Sequence, residues 1–126
     1  MTPHRERTRI DLELEFGQSS DCGPARTLNE DYAHGYLPKD QEQHRNKGAI
    51  FLVADGMGGH QAGEVASRQA VEQVLQEYYA DKTHAPGESL VRAFKAANQV
   101  LHASSLGDIA KAGMGTTLVA VVILGQ

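Results

Sequence analysis

Apolar and polar residues change period several times along the chain, and each change marks an element. In RIDLELEF (9–16), Ile10, Leu12, Leu14 and Phe16 alternate with Asp11, Glu13 and Glu15. A period of two predicts a half-buried strand with an acidic solvent face. GQSSDCGPARTLNED (17–31) is turn-rich and reads as loop. DYAHGY (31–36) reads as a second strand, paired with the first or with the next, and LPKDQEQHRNKG (37–48) as an exposed connection without apolar period. AIFLVA (49–54) is a short apolar run, which predicts a strand buried on both faces. From 64 to about 80 the spacing of Val71, Val74, Leu75 and Tyr78 predicts an amphipathic helix. DKTHAPGES interrupts it, and a second helix follows over 88–104 with Leu90, Phe94, Ala97 and Leu101 on one face. LGDIAKAGMG reads as a flexible loop, and TTLVAVVIL, rich in β-branched residues, as another buried strand. Two consecutive helices with strands before and after them favour an α+β fold, the helices layered on one face of a largely antiparallel sheet.

Composition narrows the class without naming a function. The 126 residues carry 40% hydrophobic and 22% charged residues, a globular balance, and a net charge of −4 with no basic cluster to meet nucleic acid. The single cysteine, Cys22, excludes an internal disulfide and reads as a passive small residue in a reducing compartment. No apolar run reaches the ~20 residues of a membrane span. The polar start MTPHRERTR lacks the apolar core of a secretion signal, so a cytoplasmic location is expected. Residues 1–7 read as a polar tail. About four strands make a thin sheet for so much apolar surface. We therefore expect 8–126 to be the N-terminal part of a larger domain, or a shortened relative of one.

The segment most charged with chemistry is ADGMGGHQAGE (54–64), a glycine-rich turn between a strand and a helix. Such turns often cradle phosphates. Here the dinucleotide spacing G-x-G-x-x-G is broken at Gln61, and the P-loop interval from Gly58 to Gly63 is followed by Glu64 and Val65 in place of lysine and a hydroxyl residue. A carboxylate in the first helical turn suits the helix dipole but repels a bare phosphate. Asp55 ends a strand, and Gly56 lets the backbone, carbonyl included, approach a ligand. A carboxylate and a carbonyl are hard oxygen donors suited to Mg²⁺ or Mn²⁺. A local turn contact for Asp55 is the plainer alternative. Glu30 and Asp31 form a second acidic pair at a strand mouth, with Arg26 four residues earlier. Two carboxylate sources on one sheet can hold two metal ions about 3.5–4 Å apart, the geometry that clamps a phosphate ester. Arg26 offers a bidentate fork for the ester oxygens, or else a solvated loop charge.

These residues resemble the PPM family of metal-dependent protein serine/threonine phosphatases (protein phosphatase 2C), in its compact bacterial form. GPARTLNED (23–31), FLVADGMGGHQAGEVAS (51–67) and GMGTTLVAVVI (113–123) occur in the family's order, and the similarity spans about 14–124. The resemblance implies a four-layer α-β-β-α sandwich with two antiparallel sheets and a binuclear Mn²⁺/Mg²⁺ centre. It implies that Asp55 bridges the metals, that Glu30 and the Gly56 carbonyl bind one of them, and that Asp31 stands close by. It makes Arg26 the phosphate-binding arginine. The reaction it implies is hydrolysis of phosphoserine and phosphothreonine proteins by a metal-activated water, opposing a cognate kinase. Gly115, Thr116 and Thr117 match the start of a central strand and carry a structural role. In some relatives a histidine directly follows the Asp-Gly pair; Met57 stands there, so no catalytic role is carried over to His60. His34 and His44 are expected to be solvated.

The family has later aspartate-bearing segments that do not occur within these 126 residues. The resemblance therefore implies that this chain alone is inactive or nearly so, with the apolar faces of Leu118, Val119 and Val121 uncovered. A non-catalytic binding or regulatory module is the alternative of another class. A nucleotide-binding protein is weakened by the missing lysine.

Overall fold

The computed structural model describes residues 13–59 and 61–125. The chain builds β1 (Asp31–Tyr36), α1 (Gln41–Lys47), β2 (Ala49–Met57), α2 (Ala62–Ala80), α3 (Pro86–Gly107), a 3₁₀ turn (Ile109–Lys111), β3 (Gly115–Thr116) and β4 (Val119–Ile123). β2 is central. β1 runs antiparallel along one side of it, and β3 and β4 run antiparallel along the other. Gly56 pairs with Thr116 and Val53 with Val119, so β3 and β4 hold one register across their interruption at Thr117 and Leu118.

One face of this sheet is the core. Ile50, Leu52 and Ala54 of β2 pack against Val71, Val74 and Tyr78 of α2, and Ala93 and Ala97 of α3 complete the cluster. These are the residues of the predicted apolar stripes, with Leu75, Leu90 and Phe94 partly buried around them. A second cluster joins Ala62, Ala66 and Ala70 of α2 to Leu101 and Met114. Small residues at i, i+4 and i+8 let α2 lie close to its neighbours. The α+β expectation holds: the described residues form one antiparallel sheet with a helical layer on one face, two of the four layers implied by the resemblance.

Several local expectations are corrected. β2 and β4 are not buried on both faces. Burial alternates along β2, and Val53, Val119 and Val121 remain 58%, 64% and 53% exposed on the face away from the helices. Leu118, expected to be uncovered, instead joins the core. Strand alternation puts it on the same face as Ala120 and Val122, opposite the row formed by Val119 and Val121. The connection 37–48 contains α1, whose first turn is capped by the Asp40 carboxylate accepting from the Glu42 N–H at 2.9 Å. Its heptapeptide lacks apolar period because it is anchored at its end. Lys47 is buried there, its Nζ donating to Ser89 Oγ and lying 4.8 Å from the centre of the Tyr78 ring. Glu13–Phe16 are irregular rather than a strand, while the rest of the predicted first strand, the polar tail and His60 lie outside the described residues. Phe16 still packs, edge-on to Phe51 at 5.1 Å and over Gly35, where a side chain would collide with its ring. His34 and His44 are half-buried rather than solvated.

The far end of α2 is fixed by polar contacts. Tyr78 donates its hydroxyl to the Lys47 carbonyl at 2.6 Å, and Tyr79 to that of Gly48 at 2.8 Å. Burial raises the Tyr78 phenol to about 12 and the Tyr79 phenol further. Asp81 accepts from the N–H of Thr83 and from His84 and Ser89, which together hold its carboxyl well below the usual carboxylate range. Desolvation lowers the Lys47 ammonium, with Asp81 opposing.

Candidate metal centre

The β1–β2 ladder decides which acidic residues meet. Its register pairs Asp31 directly with Asp55. Residues opposite each other in an antiparallel pair point to the same face, with Cβ atoms roughly 4.5–5.5 Å apart. Both side chains are exposed, on the face that also carries Val53. Two carboxylates in this relation repel each other, so the pair invites a cation.

Glu30 and Gly56 extend the same ladder by one rung: the Gly56 N–H donates to the Glu30 carbonyl at 3.1 Å. Glycine is demanded here by close approach. A Cβ on Gly56 would strike the Gly63 carbonyl, and a Cβ on Gly63 would lie 2.7 Å from Glu30 Oε1. The Glu30 carboxylate thus occupies the space that a side chain at Gly63 would fill, over the first turn of α2, where the helix dipole favours a negative group. Gly58, with φ +153°, makes the turn into the helix. The four-glycine segment makes its closest backbone approaches at Gly56 and Gly63, while Gly59 has open space around it. The segment brings the end of β2, the first turn of α2 and the loop before β1 together.

Among the described residues, no three His, Cys, Asp or Glu side chains converge into a closed metal cage. Hard oxygen donors for a divalent cation are gathered at this end of the sheet but on two sides of it: Asp31 and Asp55 stand face to face away from the helices, while the Glu30 carboxylate lies against Gly63 at the start of α2. Glu30, Asp31, Asp55 and the Gly56 carbonyl are the groups that could hold the cation, and water would fill the remaining positions, as Mg²⁺ and Mn²⁺ usually retain several.

Arg26 is exposed in the loop ahead of Glu30, its carbonyl accepting the Cys22 thiol at 3.4 Å. The fold brings a second arginine to the acidic end, which the sequence reading passed over. Arg68 lies over the Tyr32 ring, 5.4 Å from its centre, and shares a cleft of about 330 Å³ with Asp31 and Glu64. Its spacing of four from Glu64 was the available signal. Gly63 was also missed as a packing residue, since only tertiary approach reveals it.

The family model for protein phosphatase 2C matches residues 25–126. The protein phosphatase PhpP of Streptococcus pneumoniae is 34% identical over 115 residues, covering 88% of this chain and 44% of PhpP. The solved catalytic domain of the serine/threonine protein phosphatase PstP, in complex with two manganese ions, superposes with a TM-score of 0.65 at 34% identity, over 85% of this chain and 42% of that one. The serine/threonine phosphatase Stp1 of Staphylococcus aureus gives 0.68 at 26% identity, over 91% and 46%. The chain thus spans less than half the length of these relatives. With the matched segment running from Ala25 through the acidic end of the sheet to the last strand, the chain belongs to the protein phosphatase 2C family.

Proposed function

We propose that residues 8–126 are the N-terminal part of a metal-dependent protein serine/threonine phosphatase domain. Its substrates are cytoplasmic proteins phosphorylated on serine or threonine, and a cognate kinase is the opposing partner. The observation that carries the reading is the Asp31–Asp55 opposition beside the glycine cradle of Glu30. In this reading Asp55, Glu30 and the Gly56 carbonyl hold Mn²⁺ or Mg²⁺, and Asp31 orients the water around the ion. Bound there, the cation lowers the pKa of water and offsets the charge of a phosphate ester. Asp55 works from the end of a paired strand, so its carboxylate keeps its place when substrate arrives. Arg26, exposed and close in sequence to the carboxylates, binds two ester oxygens and orients phosphorus. Glu64 keeps anions off the helix terminus itself, which leaves the cation and Arg26 as the places for phosphate.

These 126 residues supply donors from one side only, so the isolated chain binds metal weakly and turns over slowly or not at all. The test measures Mn²⁺ binding and phosphate release from a phosphothreonine peptide. Weak Mn²⁺ binding that Asp55→Asn abolishes is the expected result. Turnover that survives Asp55→Asn, or Mn²⁺ affinity indifferent to both Asp55→Asn and Glu30→Gln, overturns the assignment.

A further inference from the structure

We infer that Thr117 is a positioning residue for Asp55, its hydroxyl standing in for a main-chain carbonyl in the sheet. This inference rests on the metal-site reading above for its purpose, though not for its geometry. Asp55 and Thr117 face each other in the register shared by β3 and β4. The Thr117 N–H donates to the Asp55 carbonyl at 2.9 Å, as a ladder requires. The reciprocal bond, from the Asp55 N–H to the Thr117 carbonyl, is replaced: the Asp55 N–H donates to Thr117 Oγ1 at 3.2 Å. The Thr117 carbonyl accepts instead from the Thr116 hydroxyl at 2.7 Å. This exchange of partners falls at the interruption between β3 and β4, and Leu118 next to it turns into the core.

The exchange has a function at this place. Asp55 is clamped through its backbone from one side by Thr117, while the next residue, Gly56, is held to Glu30 from the other. Fixing the Asp55 backbone fixes the Cα–Cβ bond from which its carboxylate is carried, leaving two side-chain torsions to set where it points. Without the hydroxyl the Asp55 N–H has no protein partner on that edge and opens to water.

Thr117→Val keeps the branched shape and removes the oxygen, while Thr117→Ser keeps the oxygen. Amide exchange is measured by NMR on the whole chain, and Mn²⁺ affinity from the paramagnetic resonance of free Mn²⁺. In Thr117→Val we expect the Asp55 amide to exchange about tenfold faster with those of Phe51 and Val53 unchanged. Mn²⁺ affinity should fall about tenfold, the usual scale for groups that orient a ligand. Thr117→Ser should restore both. An Asp55 amide as protected in Thr117→Val as in the wild type, or failure of the serine to restore it, overturns the inference. If the amide responds as expected but no form binds Mn²⁺, the hydroxyl bond stands and the metal reading falls. Thr117→Ala removes the same oxygen and gives the same comparison should the valine prevent folding.

Discussion

Asp31 and Asp55 stand directly opposite each other at the end of the β1–β2 ladder, both carboxylates exposed on the face away from the helices. Like charges directly opposite in a sheet cost a fraction of a kcal/mol, about 0.5. In the absence of divalent ions, Asp31→Asn and Asp55→Asn should each raise the melting temperature slightly. With Mn²⁺ present, the wild type should gain stability and Asp55→Asn should not, since only binding to the folded state stabilises it. Calorimetry with and without Mn²⁺ reads the crossing of signs.

The glycines predict a second split. On Gly56, a methyl group would meet the Gly63 backbone, which cannot move without displacing α2. Gly56→Ala should cost about 3 kcal/mol, the scale of overpacking against a rigid neighbour. On Gly63, a methyl group would meet first the end of the Glu30 side chain, which can swing away, and then the Gly56 backbone at 3.1 Å, which must give by only a few tenths of an ångström. Alanine is also favoured in a helix by about 1 kcal/mol. Gly63→Ala should therefore keep its stability within about 1 kcal/mol and lose Mn²⁺ affinity, as titration of both variants would show.

The buried phenols make the fold sensitive to alkali. A raised folded-state value means that the unfolded chain releases the proton first, so stability is full below about pH 10. It declines as pH rises through the value of about 12 for Tyr78. Tyr78→Phe should cost about 1 kcal/mol at neutral pH for the lost bond to the Lys47 carbonyl and should flatten the alkaline decline. At the acid end the sign reverses. The depressed Asp81 carboxyl gives stability that is present above roughly pH 4 and lost as pH falls below it. Urea melts across the pH range check both arms.

The two faces of the sheet should respond differently to substitution. Val121→Thr, on the exposed face, should change stability by less than about 0.5 kcal/mol and reduce binding of a hydrophobic dye. Val74→Ala, in the core, should cost about 2 kcal/mol. Equal costs at both positions would mean that the outer face is covered in solution.

Much of this was legible in the residues. The helical stripes appear at Val71, Val74 and Tyr78 and at Ala97 and Leu101, because a helix repeats its face within a few residues. The identities of Glu30, Asp31, Asp55 and Gly56 were readable as hard donors beside a glycine turn. Burial on two faces was not readable for β2, because a run such as AIFLVA looks the same whether or not something covers its outer side. α1 escaped notice because its one buried contact, through Lys47, is made to Ser89 far along the chain.

The sequence by itself determined the two long helices, the strands from Asp31, Ala49 and Thr116 onward, the apolar stripes and the chemistry available at the glycine turn, since all of these depend on neighbours a few positions apart. Tertiary structure alone decided that Asp31 faces Asp55, that Gly63 makes room for Glu30 and that Thr117 reaches the Asp55 backbone. Those relations join residues from 24 to 62 positions apart, and only strand register and helix packing, properties of the folded whole, bring them together.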